Sequence, residues 1–170
     1  MTWLRTNVYT WRGLSFFLMA LLFWYLAIPV LAPKVIPVSR YLEVRSVFVV
    51  DSRGGEPPAV IVDRDINANY TGSFVSKLRR IDEAEGLILG WCPEGERTEI
   101  QYRAGSDYPG RDLNWWMGNP PADTCLITPG QYQLGITWTV PTLFGLATLH
   151  RTVESAPFRV VSPINSPGEP

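Results

Sequence analysis

A mostly β protein on a membrane tether is what this sequence predicts: a single N-terminal transmembrane helix, then an immunoglobulin-like antiparallel β-sandwich of about 7–9 strands. Three observations predict it. The stretch from Gly13 to Pro33 carries no charged side chain. Beyond Lys34 the hydrophobic period changes from helical to alternating. The two cysteines, Cys92 and Cys125, both lie in the alternating part.

The apolar stretch includes the run Phe16-Phe17-Leu18-Met19-Ala20-Leu21-Leu22-Phe23-Trp24-Tyr25-Leu26, bounded by Arg12 and Lys34. As a helix it covers ~30 Å, about the hydrocarbon thickness of a bilayer. A soluble helix of that length normally keeps one polar face, and this one has none. Trp3 and Trp11 sit where indoles favour the headgroup zone. A cleaved signal peptide is the rival reading, with Val30 and Ala32 as small residues before the cut. Pro33 after the cut fits poorly in a peptidase, and Pro29 is expected to break the helix just before it. Both readings export the remainder. Arg5 and Arg12 before the span nearly balance Lys34, Arg40 and Arg45 after it. Orientation therefore rests on the short leader, too short to fold, and on a disulfide-competent domain behind the span. The expected order is a cytoplasmic tail (1–12), an anchor (13–33), a linker (34–40), a β-sandwich (41–161) and a flexible tail (162–170). Gly13, Ala20 and Ala27 recur every seven residues and form a candidate packing face for self-association of the helix.

The clearest strand runs from Gln131 to Val140. Tyr132, Leu134, Ile136, Trp138 and Val140 share one face, and Gln131, Gln133, Thr137 and Thr139 the other. Glu99–Arg103 repeats the pattern briefly. Val44–Val50 is mostly β-branched, as in a strand buried on both faces. Ala59–Asp63, Ser73–Ile81, Leu87–Cys92, Leu146–Val153 and Phe158–Val161 are further candidates. Turn clusters separate them at Asp51–Gly55, Asn67–Gly72, Pro93–Gly95 and Asp107–Gly110. Leu78, Ile81 and Ala84 leave a short helix over Ser76–Glu85 as an alternative.

An exported domain makes a Cys92–Cys125 disulfide the natural expectation. Their spacing, with Trp91 directly before Cys92, lacks the immunoglobulin signature of a tryptophan between more distant cysteines. His150 is the only histidine, so neither a zinc site nor a histidine-based triad has its usual ingredients. Ser76 and Lys77 are adjacent, so on a strand they point to opposite faces and cannot form a Ser-Lys pair. Asp63 and Asp65 share a strand face, without a calcium-loop spacing around them. Asn69-Tyr70-Thr71 fits the N-glycosylation pattern. No catalytic residue, cofactor or metal ligand is expected.

The net charge of −1 and the absence of a basic run argue against a nucleic-acid partner. The most suggestive segment for binding is Tyr108–Pro121, where aromatics sit in a polar, turn-rich stretch. Adjacent Trp115 and Trp116 cannot both face a core if extended, so Tyr108, Trp115 and Trp116 form a candidate binding surface. The expected function is a non-enzymatic, membrane-tethered interaction or structural protein, with its domain periplasmic or extracellular. Expected partners are the lipid bilayer and a membrane or envelope protein, for example in an envelope assembly that takes the chain as an accessory subunit. A carbohydrate-binding module that stacks glycan on exposed tryptophans is the alternative.

Overall fold

A computed structural model of the chain describes residues 2–82, 84–86, 88–92, 94–118 and 128–162. It is mostly β, with one long apolar helix at the N-terminus. The chain forms two compact units: Met1–Pro37 with Pro141–Leu149, and Val38–Val140 with His150–Pro170.

In the first unit, helix α1 spans Thr2–Val35 and contains the 23-residue apolar segment Gly13–Val35. Its large side chains point outward, with Phe16 79% and Phe23 67% exposed. The helix is long and apolar enough to cross a membrane. It also runs through Pro33 and through Pro29, where the sequence predicts a break. Each proline removes one ladder donor, yet every other residue added still gains a bond, and the Ile36 amide closes the end on the Ala32 carbonyl at 2.8 Å. The expected linker is correspondingly shorter. A turn over Val38–Arg40 leads from the helix into the second unit, with Tyr41 N–H donating to the Val38 carbonyl at 2.9 Å.

The second unit holds two sheets. One contains three strands in the order β1 (Leu42–Val49), β3 (Ala59–Ile66) and β7 (Arg111–Asp112). The other has seven, on a path β2 (Ser52–Arg53), β10 (Phe158–Val161), β8 (Gly130–Thr142), β4 (Tyr70–Ile81) and β5 (Ile88–Trp91). Strand β6 (Gly95–Tyr102) adds to β4, and β9 (Ala147–Glu154) adds to β8. The two-residue strands β2 and β7 fall inside stretches that read as turns in the sequence.

Strand β8 is the spine. Tyr132, Leu134, Ile136, Trp138 and Val140 are buried, and the intervening residues are half-exposed, as alternation dictates. It pairs antiparallel with β4 from Ser73↔Thr139 to Ile81↔Gln131. This long register settles Ser76–Ile81 as strand, not helix: Phe74, Ser76 and Leu78 all face inward at 0% exposure. Beyond it, the Asp82 carboxylate accepts from the amides of Glu85 and Ala84, which hold its pKa below the ordinary value.

Strand β1 departs from expectation. It is not buried on both faces: Leu42, Val44, Val47 and Val49 are buried, whereas Phe48 is 54% exposed. The register with β3 shifts between Val44 and Ser46. That bulge lets residues three apart, Val44 and Val47, reach the same side. Inward residues of both sheets, including Leu42, Val44, Val60, Phe74, Leu78, Leu134, Trp138 and Phe158, form one hydrophobic core.

Candidate functional site

After β7 the chain makes a single helical turn, α2 (Leu113–Trp116). Asp112 is extended and its carboxylate accepts from the Trp115 amide at 2.7 Å, an N-cap that satisfies one orphan donor. Met117 N–H closes the turn on the Leu113 carbonyl at 2.9 Å. Helical geometry rotates successive side chains by ~100°, and this decides the fate of the two indoles. Leu113 and Trp116 turn inward, at 0% and 3% exposure, and Trp115 remains half-buried at the surface. Of the two tryptophans expected at a binding surface, Trp116 is therefore a core residue. Its ring lies 4.7 Å from Phe74 and 6.2 Å from Trp138.

Trp115 does not present a bare ring either. The Arg97 guanidinium sits 4.5 Å from its centroid and that of Arg111 5.7 Å away. Arg97 Nε also donates to the Trp115 carbonyl at 3.1 Å. Guanidiniums over an indole face are attracted by the ring quadrupole. A sugar ring would have to displace at least one of them to stack there. The arrangement clamps α2 to β6 and β7.

Tyr108 is half-buried beside the same cluster. Its hydroxyl donates to the Gln101 carbonyl at 3.1 Å and accepts from the Arg103 amide at 3.2 Å. Arg64 reaches over Tyr108 at 4.9 Å, Tyr102 at 5.7 Å and Trp116 at 5.8 Å. Tyr102 stacks on Tyr70 at 4.6 Å. Burial pushes the Tyr102 phenol up to about 12 and raises that of Tyr70 as well, while Arg64 pulls both the other way. Tyr108, Trp115 and Trp116 thus belong to one neighbourhood, held together by Arg64, Arg97 and Arg111. Nothing in the sequence singles out these arginines. Arg97 and Arg111 flank turn clusters as ordinary surface charges, and only the fold brings them over the indole.

The other residues considered for chemistry are engaged in structure. Ser76 Oγ donates to the Trp116 carbonyl at 2.6 Å, and Lys77, on the opposite face, pairs with Glu94 at 2.6 Å. Arg45 bridges Asp63, at 2.8 Å, and Asp65, which lie across the β1–β3 pairing. These oppositely charged partners raise the Arg45 pKa. His150 Nδ1 is 3.3 Å from Thr139 Oγ1, and Asn69 Oδ1 accepts from the Ala104 amide at 2.8 Å. Among the described residues no group of three or more His, Cys, Asp or Glu side chains could hold a metal ion. Cys92 packs part-buried against the core, and Cys125 lies outside the described residues. On α1, Gly13 has open space around it, and Ala20 and Ala27 are half-buried.

No protein-family model matches the chain, no curated protein matches it, and no solved structure matches its fold. The class that sequence and fold define is a β-rich domain joined to a single apolar N-terminal helix.

Proposed function

We propose that the chain is a membrane-anchored, non-enzymatic interaction or structural protein. It presents an immunoglobulin-like antiparallel β-sandwich outside the cytoplasm, as an accessory subunit of an envelope assembly. The observation that carries this reading is the apolar surface of Gly13–Val35, whose large side chains stand exposed and on which Ala32 alone is buried. Lipid is the solvent such a surface needs, because an apolar area of this size in water is strongly unfavourable. Tethering then raises the domain's effective concentration for neighbours in or beside the membrane. A Cys92–Cys125 disulfide fits the exported side. The hydroxyl, carboxylate and imidazole groups named above serve capping, pairing and packing, which supports an interaction role over catalysis.

Crosslinking in native membranes followed by mass spectrometry tests this. The expected result is recovery of a membrane or envelope protein linked to the β domain. Recovery of the chain linked to nothing membrane-associated would refute the partner reading.

A further inference from the structure

The turn between β8 and β9 belongs to the same compact unit as α1, and its chemistry is unlike that of the rest of the β domain. Pro141–Leu149 contains no charged residue. At its tip Leu143 and Leu146 are each 40% exposed, and the Phe144 side chain projects wholly into solvent. The backbone holds them there. Leu143 and Phe144 adopt φ of 51° and 58°, the left-handed region that non-glycine residues rarely enter, and Gly145 follows at 85°. Two strained residues in succession, both apolar and both turned outward, have no rationale in water, where the same turn would favour Asn or Gly.

The helix in this unit supplies the rationale. Between Gly13 and Pro37, Lys34 is the only charged residue. Among the described side chains of α1, Ala32 alone is buried, in the helix's last turns. The unit therefore combines a bilayer-length apolar helix with an uncharged apolar loop tip, and its charged side chains are Arg5, Arg12 and Lys34. Aromatic and leucine side chains on a projecting tip suit the boundary between headgroups and acyl chains.

We propose that Leu143, Phe144 and Leu146 insert into the bilayer at the boundary beside the exit of α1. They form a second membrane contact within the unit that holds the anchor. This rests on α1 being the membrane anchor. The occupant is lipid, with a second copy of the chain or another protein as the outcomes that would contradict it.

The test uses the full chain reconstituted in phosphatidylcholine–phosphatidylglycerol vesicles, with the photoreactive amino acid p-benzoylphenylalanine in place of one phenylalanine at a time. Irradiation with the probe at Phe144 is expected to add the mass of one lipid to the chain. The probe at Phe48, exposed on the other sheet, is expected to add none. The probe at Phe17, inside the span, reports on the anchor itself. Lipid adducts at Phe17 but not at Phe144 would overturn the tip insertion and leave the anchor standing. No adduct at Phe17 would defeat the anchor reading, and the proposal with it. Chain-to-chain crosslinks at Phe144, or equal lipid adducts at Phe48 and Phe144, would each contradict it. The substituted position is fully exposed, so the variant keeps the fold, which circular dichroism of the reconstituted chain checks.

Discussion

The hydroxyl of Ser76, fully buried on β4, donates to the backbone carbonyl of Trp116 at 2.6 Å. That one bond joins the central strand of the large sheet to the single-turn helix that sorts the two indoles. Gly95 of β6 makes room for it: a Cβ there would overlap the Met117 backbone and the Ser76 oxygen. Side chain, carbonyl and missing Cβ are one packing solution, and it sets Trp116 inward and Trp115 outward.

Replacing Ser76 with alanine removes the donor and leaves a buried carbonyl without it. The expected cost is about 1–3 kcal/mol, and Gly95→Ala should cost a similar ~1–3 kcal/mol through overpacking. Thermal unfolding of the full chain in detergent, followed by near-ultraviolet circular dichroism, measures both. The tryptophan signals should broaden or shift in each variant. Wild-type stability in Ser76→Ala would show that the hydroxyl is not holding α2.

Arg97 and Trp115 form the best-placed cation–ring pair, at 4.5 Å. A double-mutant cycle over Arg97→Ala and Trp115→Ala isolates it, because the Arg97 bond to the Trp115 carbonyl survives when the ring is removed. A coupling of about 0.5–1 kcal/mol is expected for a partly exposed pair. Additive single mutants would mean that the guanidinium merely lies nearby.

Burial raises the Tyr102 phenol from the ordinary 10.0 to about 12, so the folded protein keeps this proton after the unfolded chain has lost it. Its stabilising contribution is complete below pH 10 and disappears as pH climbs from about 10 to about 12. The expected slope in that window is about −1.4 kcal/mol per pH unit. Tyr70, shifted the same way, steepens it. Denaturant unfolding at several alkaline pH values should show this fall, and Tyr102→Phe should flatten it. A slope unchanged in Tyr102→Phe would assign the alkaline loss elsewhere.

Much of this is legible in the sequence, for identifiable reasons. The span of α1 follows from the absence of charge between Gly13 and Pro33, a signal that needs no tertiary context. Strand β8 follows from strict alternation, and the bounds of Phe158–Val161 follow from the residues on either side. The bulge in β1 is not legible, because Val44–Val50 reads as continuously β-branched whether or not one residue is skipped. The proline-containing end of α1 misleads because proline costs a bond without ending a helix whose other bonds persist. Asp112-Leu113-Asn114-Trp115 carries a capping signal, an acidic residue before a short helical turn, that separates the two tryptophans once it is given weight. The clamp of Arg97 and Arg111 over Trp115 joins β6 to β7, residues distant in sequence, and no local pattern announces it.

Cys92 sits part-buried against the core, and pairing with Cys125 belongs to the exported reading. Over a loop of about 30 residues such a link is expected to contribute ~3–4 kcal/mol. The full chain should therefore resist an impermeant thiol reagent until it is reduced, and Cys92→Ser should unfold at markedly lower denaturant. Two rapidly reacting thiols without reduction would reject the pairing.

The central claim is that Gly13–Val35 stays in a bilayer while the β domain lies beyond it. Glu56, exposed on that domain, provides the handle. The full chain with Glu56→Cys, expressed in bacterial spheroplasts, is treated from outside with a large impermeant maleimide and then fractionated at alkaline pH. The account predicts a full-length, mass-shifted band in the membrane pellet, with the unsubstituted chain unshifted. A band that shifts only after lysis, or that appears full-length in the soluble fraction, would contradict it.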